Sequence, residues 1–166
     1  QDGPGPARTA ARLMARTDTS DWDCAIARAA HLLGDQWTLL VLREACLGTR
    51  RFDGFQAHLG MARNIITNRL NLLVDEGLLT RVAYQERPVR HEYRLTDKGR
   101  DAYPVLAAMA AYAERWLVGP EGPPVQLHHS TCDHDMSAVV VCGHCEKRLD
   151  VREVTARPGP GHPLSA

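Results

Sequence analysis

Residues 52–77 read FDGFQAHLGMARNIITNRLNLLVDEG, and this stretch decides the fold. Phe52, Phe55 and Leu59 stand at i, i+3 and i+7, one face of a short helix that stops at Gly60. Only Gly60-Met61 separates it from a second periodic segment, which runs from about Ala62 to Glu76 and is closed by Gly77. A connection that short joins two helices as a helix-turn-helix. In the second helix Ile66, Leu70 and Leu73 lie at i, i+4 and i+7, with Ile65 and Leu72 beside them, and this stripe is expected to pack inward. The opposite side carries Asn64, Thr67, Asn68 and Asn71. Exposed helix faces are normally rich in Glu and Lys, which favour helix, whereas three Asn and a Thr disfavour it. Asn carboxamides do hydrogen-bond base edges, adenine in particular, and no acidic side chain precedes Asp75 on this face. Arg63 stands at the leading end, where recognition helices usually meet DNA. The competing reading is a plain solvated face.

Upstream, Asp21-Trp22-Asp23 suits a helix start, and a first helix is expected to run to about Leu33, with Gly34 at its C′ position. A second begins near Gln36 and ends at Gly48; Trp37, Leu39, Leu40, Val41, Leu42, Ala45, Cys46 and Leu47 make it apolar on nearly every side, so it reads as the buried centre. Cys46 is expected in the core. Downstream, Leu78–Gln85 and His91–Leu95 are short strand candidates around Glu86-Arg87-Pro88-Val89. Thr96 caps a last helix carrying Tyr103, Leu106, Ala110, Ala113 and Leu117, with Pro104 placed early enough to kink it. Four helices, a hairpin and a helix make an α+β winged helix-turn-helix. Small all-helical adaptor domains share part of that order.

The chain has 166 residues, with 20 Lys plus Arg against 20 Asp plus Glu, so a histone-like polycation is excluded. Local charge differs from the total: from Arg50 to Arg100 ten basic side chains face six acidic ones. Arg87, Arg90 and His91 cluster at the hairpin tip, where a wing touches phosphates or enters a minor groove. Solubilising charge at an exposed turn is the bland alternative. Arg69 is on the helix flank and suits pairing with a carboxylate. No apolar run approaches the roughly 18 residues of a membrane helix, so no membrane partner is expected.

Several separated motifs resemble the HxlR-type transcriptional regulators. They are Cys24-Ala-Ile-Ala-Arg-Ala, Gly34-Asp-Gln-Trp-Thr-Leu-Leu-Val-Leu-Arg-Glu44, Arg51-Phe-Asp-Gly-Phe55, Ile66-Thr-Asn-Arg-Leu70, Asp75-Glu-Gly-Leu78 and Glu92-Tyr-Arg-Leu-Thr-Asp-Lys-Gly99. The likeness covers roughly residues 22–117. It implies a homodimer on a palindromic operator in double-stranded DNA, with the fourth helix as reader and the first and last helices forming much of the dimer interface. The Ala-rich seam of Ala107, Ala110, Ala111 and Ala113 fits such packing, or a single domain's core. The family often has Cys-Pro at the first helix, and here Ala25 follows Cys24. In some members a Cys at this place senses oxidants or electrophiles. A thiol at a helix start is well placed to react, while Asp21 and Asp23 oppose the anion it must become. Cys24 is therefore a candidate redox sensor beside the alternative of a small buried residue.

Gly119-Pro120-Glu121-Gly122-Pro123-Pro124 breaks any helix, and residues 119–126 read as a linker. Residues 127–156 form a separate Cys/His-rich module. Cys142 and Cys145 make a Cys-x2-Cys pair, and His129 and Cys132 repeat the separation on the other side of a short β run. Two such pairs suit tetrahedral Zn2+, as in a zinc ribbon with one Cys replaced by His. The ligands expected are His129, Cys132, Cys142 and Cys145, with His128, His134 or His144 as alternatives to His129. Such a short module buries too little to fold alone, so a structural metal is expected to stabilise it. A Cys142–Cys145 redox disulfide is the competing reading. Four protein ligands leave no open position for catalysis, and no nucleophile–base pair stands out, so an enzyme is not expected.

Residues 1–20 and 157–166 read as disordered tails. Gln1–Pro6 is Gly/Pro-rich and is followed by Arg8, Arg12 and Arg16, unlike a secretion signal, so a reducing cytoplasm is the expected compartment. Met14 is a candidate natural start, with Gln1–Leu13 as an upstream extension. The domain expected over 21–118 then acts as a DNA-binding regulator, most simply a repressor, reading bases with Asn64, Thr67 and Asn68 and phosphates with Arg51, Arg63, Arg87 and Arg90, and responsive to a redox, electrophile, metal or small-molecule effector. A protein-interaction adaptor using the winged domain and ribbon as docking surfaces is the alternative.

Overall fold

Two glycines frame the helix pair. Helix α3 (Phe52–Leu59) ends at Gly60 with φ 61°, and α4 (Arg63–Asp75) is followed by Gly77 with φ 71°. A Cβ resists this left-handed backbone, so glycine lets each helix stop abruptly. Ile66, Leu70 and Leu73 of α4 are fully buried with Phe55 of α3, and Ile65 and Leu72 are half-buried beside them. Their partner is α2 (Gln36–Cys46), whose Thr38, Val41, Leu42, Glu44 and Ala45 are buried and which packs against α3, α4, the hairpin and the last helix. Cys46 is only half-buried, and burial pushes its thiol pKa up.

The computed structural model describes residues 17–161. Most of the first expected tail and the end of the second lie outside them. The chain divides into two compact units between Asp35 and Gln36. The sequence reading placed both sides of that break in one domain over 21–118.

In the first unit α1 spans Ala25–Leu33, with Cys24 at its N-cap. The expected start at Asp21 is corrected: Asp21-Trp22-Asp23 form a turn, and Asp23 reaches Arg28 at 4.0 Å. Gly34 has φ −74°, so this helix ends without the left-handed residue expected there. Thr19, expected in a disordered tail, donates from its hydroxyl to the carbonyl of Ala27 at 2.9 Å.

In the second unit β1 (Leu79–Glu86) pairs antiparallel with β2 (Val89–Leu95) around a cis Arg87-Pro88 bond. The ladder therefore takes in Glu86 and Val89, which the sequence pattern predicts as loop. The register shifts between Ala83 and Gln85. Arg51 bridges Glu92, and the Tyr93 amide donates to the Arg50 carbonyl at 2.7 Å, so the segment before α3 lies along the free edge of β2.

The Thr96-Asp-Lys-Gly99 motif has an architectural explanation. The Thr96 side chain caps α5 (Asp97–Asp101) by accepting from the Gly99 amide, and its hydroxyl lies 2.6 Å from the Gly77 carbonyl. Lys98 donates to the Glu76 carbonyl at 2.6 Å, which places a cation at the C-terminal end of α4. A Cβ on Gly99 would stand 2.1 Å from the Leu78 carbonyl oxygen, so only glycine fits this junction. The helix expected to run on from Thr96 breaks at Ala102, and α6 (Tyr103–Trp116) carries Pro104 in its first turn, where a missing N–H costs no helical bond.

Beyond the linker stand a small hairpin, β3 (Leu127–His129) with β4 (His134–Met136), an isolated bridge between Val141 and Arg148, and a 3-10 turn over Val151–Glu153. Among the described residues no helix is long and apolar enough to cross a membrane.

Candidate nucleic-acid interface

Packing of Ile66, Leu70 and Leu73 into the core turns the other side of α4 outward. Arg63, Asn64, Thr67 and Asn68 are exposed there. The Thr67 hydroxyl donates to the Arg63 carbonyl at 2.8 Å. Asn71 differs from the other two asparagines. It is half-buried, and its side-chain oxygen accepts a hydrogen bond from Arg81 of β1. The exposed reading face is therefore one turn shorter than the sequence reading placed it.

The four arginines expected at phosphates fall into two groups. Arg51 donates to Glu92 at 3.3 Å, and its guanidinium lies 4.5 Å from the centroid of the Tyr84 ring. Arg63 lies 4.6 Å from the Phe52 ring centroid, donates to Gln56 at 2.9 Å and stands 3.8 Å from Asp53. These contacts hold both side chains in place. Arg87 and Arg90 are exposed at the wing and, among the described residues, have no ion-pair partner. Arg51, Arg63, Arg90 and the half-buried His91 converge on one recess of about 300 Å³ between α3 and the hairpin, lined also by Asp53 and by the aromatic rings of Phe52, Tyr84 and Tyr93.

Glu92 lies between His91 and Tyr93, which line this recess, and holds Arg51 of its lining. Hydrogen bonds from Arg94 and then Arg51 hold its carboxyl below the usual range, so it stays anionic and fixes both guanidinium groups. Tyr84, Phe52, Gln56 and Arg81 were not legible as interface residues in the sequence. Each acts by holding a residue outside its own element, and the contact of Arg51 with Tyr84 spans the whole helix pair.

A second exposed surface runs along α6. Met109 is 50% exposed and Tyr112 and Trp116 are each 63% exposed, with Val105 and Leu117 beside them. Pro104, Val105, Ala108, Met109, Tyr112 and Val140 border an open apolar hollow of about 770 Å³. In the seam of small residues Ala107 is buried and Ala110, Ala111 and Ala113 are half-buried, and Ala113 also borders the hollow. In the first unit α1 has no buried residue, and Ile26 is 80% exposed. Cys24, at its N-cap, is exposed as well, which departs from the buried alternative.

The expected metal ligands lie on two turns. His129 Nδ1 is 3.2 Å from Cys132 Sγ. The backbone amides of Cys145 and His144 donate to the Cys142 sulfur, and with the Cys145 thiol they lower its pKa below the ordinary thiol value. Among the described residues no group of three or more His, Cys, Asp or Glu side chains is placed to hold a metal ion. The expected ligands thus stand as two separate pairs, His129 with Cys132 and Cys142 with Cys145, and not as one group. His128 is engaged by Asp135 at 3.0 Å and Asp133 at 3.3 Å, and His134 Nδ1 by the Cys132 carbonyl.

Residues 32–120 match the family described as HxlR-like helix-turn-helix. An uncharacterized HTH-type transcriptional regulator of Mycobacterium bovis is 43% identical over 136 residues, which are 82% of this chain and 86% of the relative. The crystal structure of PA1607, proposed as a transcription factor, superposes with a TM-score of 0.77 at 32% identity, covering 86% of this chain and all of that one. PA1374 of Pseudomonas aeruginosa, also proposed as a transcription factor, gives a TM-score of 0.59 at 37% identity over 83% of this chain and 94% of that one.

Proposed function

The chain belongs to the HxlR-like helix-turn-helix family, whose relatives here are transcriptional regulators, and from that membership we propose that it is a homodimeric repressor that occupies a palindromic operator. The observation that carries this reading is the exposed Asn64–Asn68 face of α4, backed by a rigid core, with Arg87 and Arg90 at the wing having no ion-pair partner among the described residues. Asn64 and Asn68 read adenine edges, and Thr67 lays its methyl group against a thymine methyl. The wing arginines hold phosphates and give most of the salt-sensitive affinity. Arg51 and Arg63, already oriented, act as fixed positive groups facing the backbone. A second copy across the α6 surface covers apolar side chains that a lone chain leaves in water. Two-fold symmetry then presents two reading helices to two inverted half-sites.

Selection of bound duplexes from a random DNA pool tests this reading. Enrichment of an inverted repeat is expected, and its half-site spacing gives the separation of the two reading helices. A pool that stays random, with partner proteins bound instead, would favour the adaptor reading. Asn68→Ala should relax choice at one operator position by about 1–3 kcal/mol; an unchanged motif would remove Asn68 from base reading. Arg90→Ala should weaken binding to all sequences alike and reduce the salt slope by about 1. Identical slopes for variant and wild type would count against a phosphate contact.

Cys24 is the site we assign for an oxidant or electrophile signal. Its exposure at the residue before α1 supports that assignment, because the family likeness implies that α1 takes part in the dimer interface. Diamide treatment should weaken operator binding by the wild type and leave Cys24→Ser unaffected. Equal loss in both proteins would place the signal elsewhere.

A further inference from the structure

None of the described residues from 119 to 161 is buried. Val139, Val140, Val141, Leu149, Val151 and Val154 all stay between 42% and 88% exposed, so this part of the chain has no apolar core to hold it. It nevertheless forms two turns of one design. In the first, the Asp133 amide donates to the His129 carbonyl at 2.9 Å and Asp133 has φ 57°. In the second, the Glu146 amide donates to the Cys142 carbonyl at 2.9 Å and Glu146 has φ 59°. These are the non-glycine residues with positive φ among those described, and each directly follows the second sulfur or nitrogen donor of its pair. Each turn also closes a short antiparallel pairing, Leu127–His129 with His134–Met136 and Val141 with Arg148.

A side chain in the left-handed region is unfavourable, and a protein retains two such residues at matched places where the turn has work to do. What the turns share is that each sets two soft donors on one side, His129 with Cys132 and Cys142 with Cys145. In this structure the two turns stand as separate pairs, and we infer that Zn2+ draws them together through His129, Cys132, Cys142 and Cys145. Three thiolates and an imidazole match zinc in softness and in the number of ligands of a closed structural site. The metal supplies the cross-link that an apolar core supplies elsewhere, and folding of the appendage is coupled to its binding. His129 is the nitrogen ligand because it already lies 3.2 Å from Cys132, whereas His128 and His134 are engaged by Asp133, Asp135 and the Cys132 carbonyl; His144→Ala, the remaining alternative, should leave the metal site intact.

The full chain, purified reduced and without oxygen, tests this. Elemental analysis should find one zinc per chain. Replacement by Co2+ should give the visible bands of a tetrahedral thiolate site. Cys142→Ser and Cys145→Ser should each lower metal affinity by more than about 100-fold, since even an outer partner of a ligand is worth on the order of 10–100-fold. His129→Ala should shift the cobalt bands, while Cys24→Ser and Cys46→Ser leave them unchanged. Hydrogen exchange in the two hairpins should slow when zinc is added, which reports on the appendage even for a variant that binds poorly. Absence of stoichiometric metal and of any cobalt spectrum would overturn the inference, as would a Cys142→Ser spectrum equal to the wild type. Iron or copper held in place of zinc would overturn the choice of metal.

Discussion

The double substitution Met109→Glu, Tyr112→Glu is expected to leave the chain monomeric and to lower operator affinity by about 10²–10⁴-fold, the gain that linking two binding modules usually provides. Met109 and Tyr112 stand on the outer side of α6 and are half or more exposed, whereas Ala107 is the buried position of that helix. An aromatic side chain buries about 150–250 Å² at an interface, so Tyr112 and Trp116 of two copies would form a substantial apolar seam. Two carboxylates per copy would face two from the partner, and like charges in a dry seam repel strongly. The core of Val41, Leu42, Phe55, Ile66 and Leu70 is untouched, so each monomer should keep its fold. Light scattering coupled to gel filtration reads the mass, and titration of labelled operator reads the affinity. A variant that remains dimeric with full affinity would show that α6 is not the seam.

Glu44→Gln is expected to lose about 2–4 kcal/mol of stability at neutral pH. Removing one partner of a fully buried ion pair costs about 3–5 kcal/mol. Here the Glu44 side chain is only 7% exposed, but Arg43 and His58 keep 48% and 56% of theirs in contact with water, which screens part of the interaction. Burial alone would push the Glu44 pKa up. Hydrogen bonds from Arg43 at 2.6 Å, His58 at 2.8 Å and Thr49 at 3.2 Å more than offset this and hold the carboxyl below its usual range. A lowered folded pKa means that the stabilisation is complete above the ordinary carboxylate pKa of about 4.3 and disappears as pH falls through the folded value. The stability gap between wild type and Glu44→Gln should therefore be widest at neutral pH and close in acid. Urea unfolding at a series of pH values measures it. A gap independent of pH would mean that the charge of Glu44 contributes nothing and that only its packing matters.

Glu44 owes its environment to contacts that local sequence does not display. Its own helix is apolar on nearly every side, so a carboxylate there looks like the solvent end of the helix. It is buried because α3 brings His58 across from 14 residues away. The same holds for Asn71, which shares the helical spacing of Asn68 and Asn64 but lies where β1 passes, so that Arg81 engages it. Arg51 and Arg63 differ from Arg87 and Arg90 for the same kind of reason. Their partners Glu92, Tyr84 and Phe52 come from other elements, and a count of local charge cannot tell a held cation from an open one.

The sequence by itself determined the order of elements, the inward stripe of α4, the glycines that end α3 and α4, the Thr96 cap and the family likeness. All of these rest on interactions within about four residues, or on the period of a helix or strand, which one chain read in order displays. The tertiary structure alone decided the break at Ala102, the shortened reading face of α4, the recess that gathers Arg51, Arg63, Arg90 and His91, and the outward turn of Met109 and Tyr112. Each of these depends on which surfaces meet. That is set by packing between elements distant in sequence, and local propensity carries no record of it.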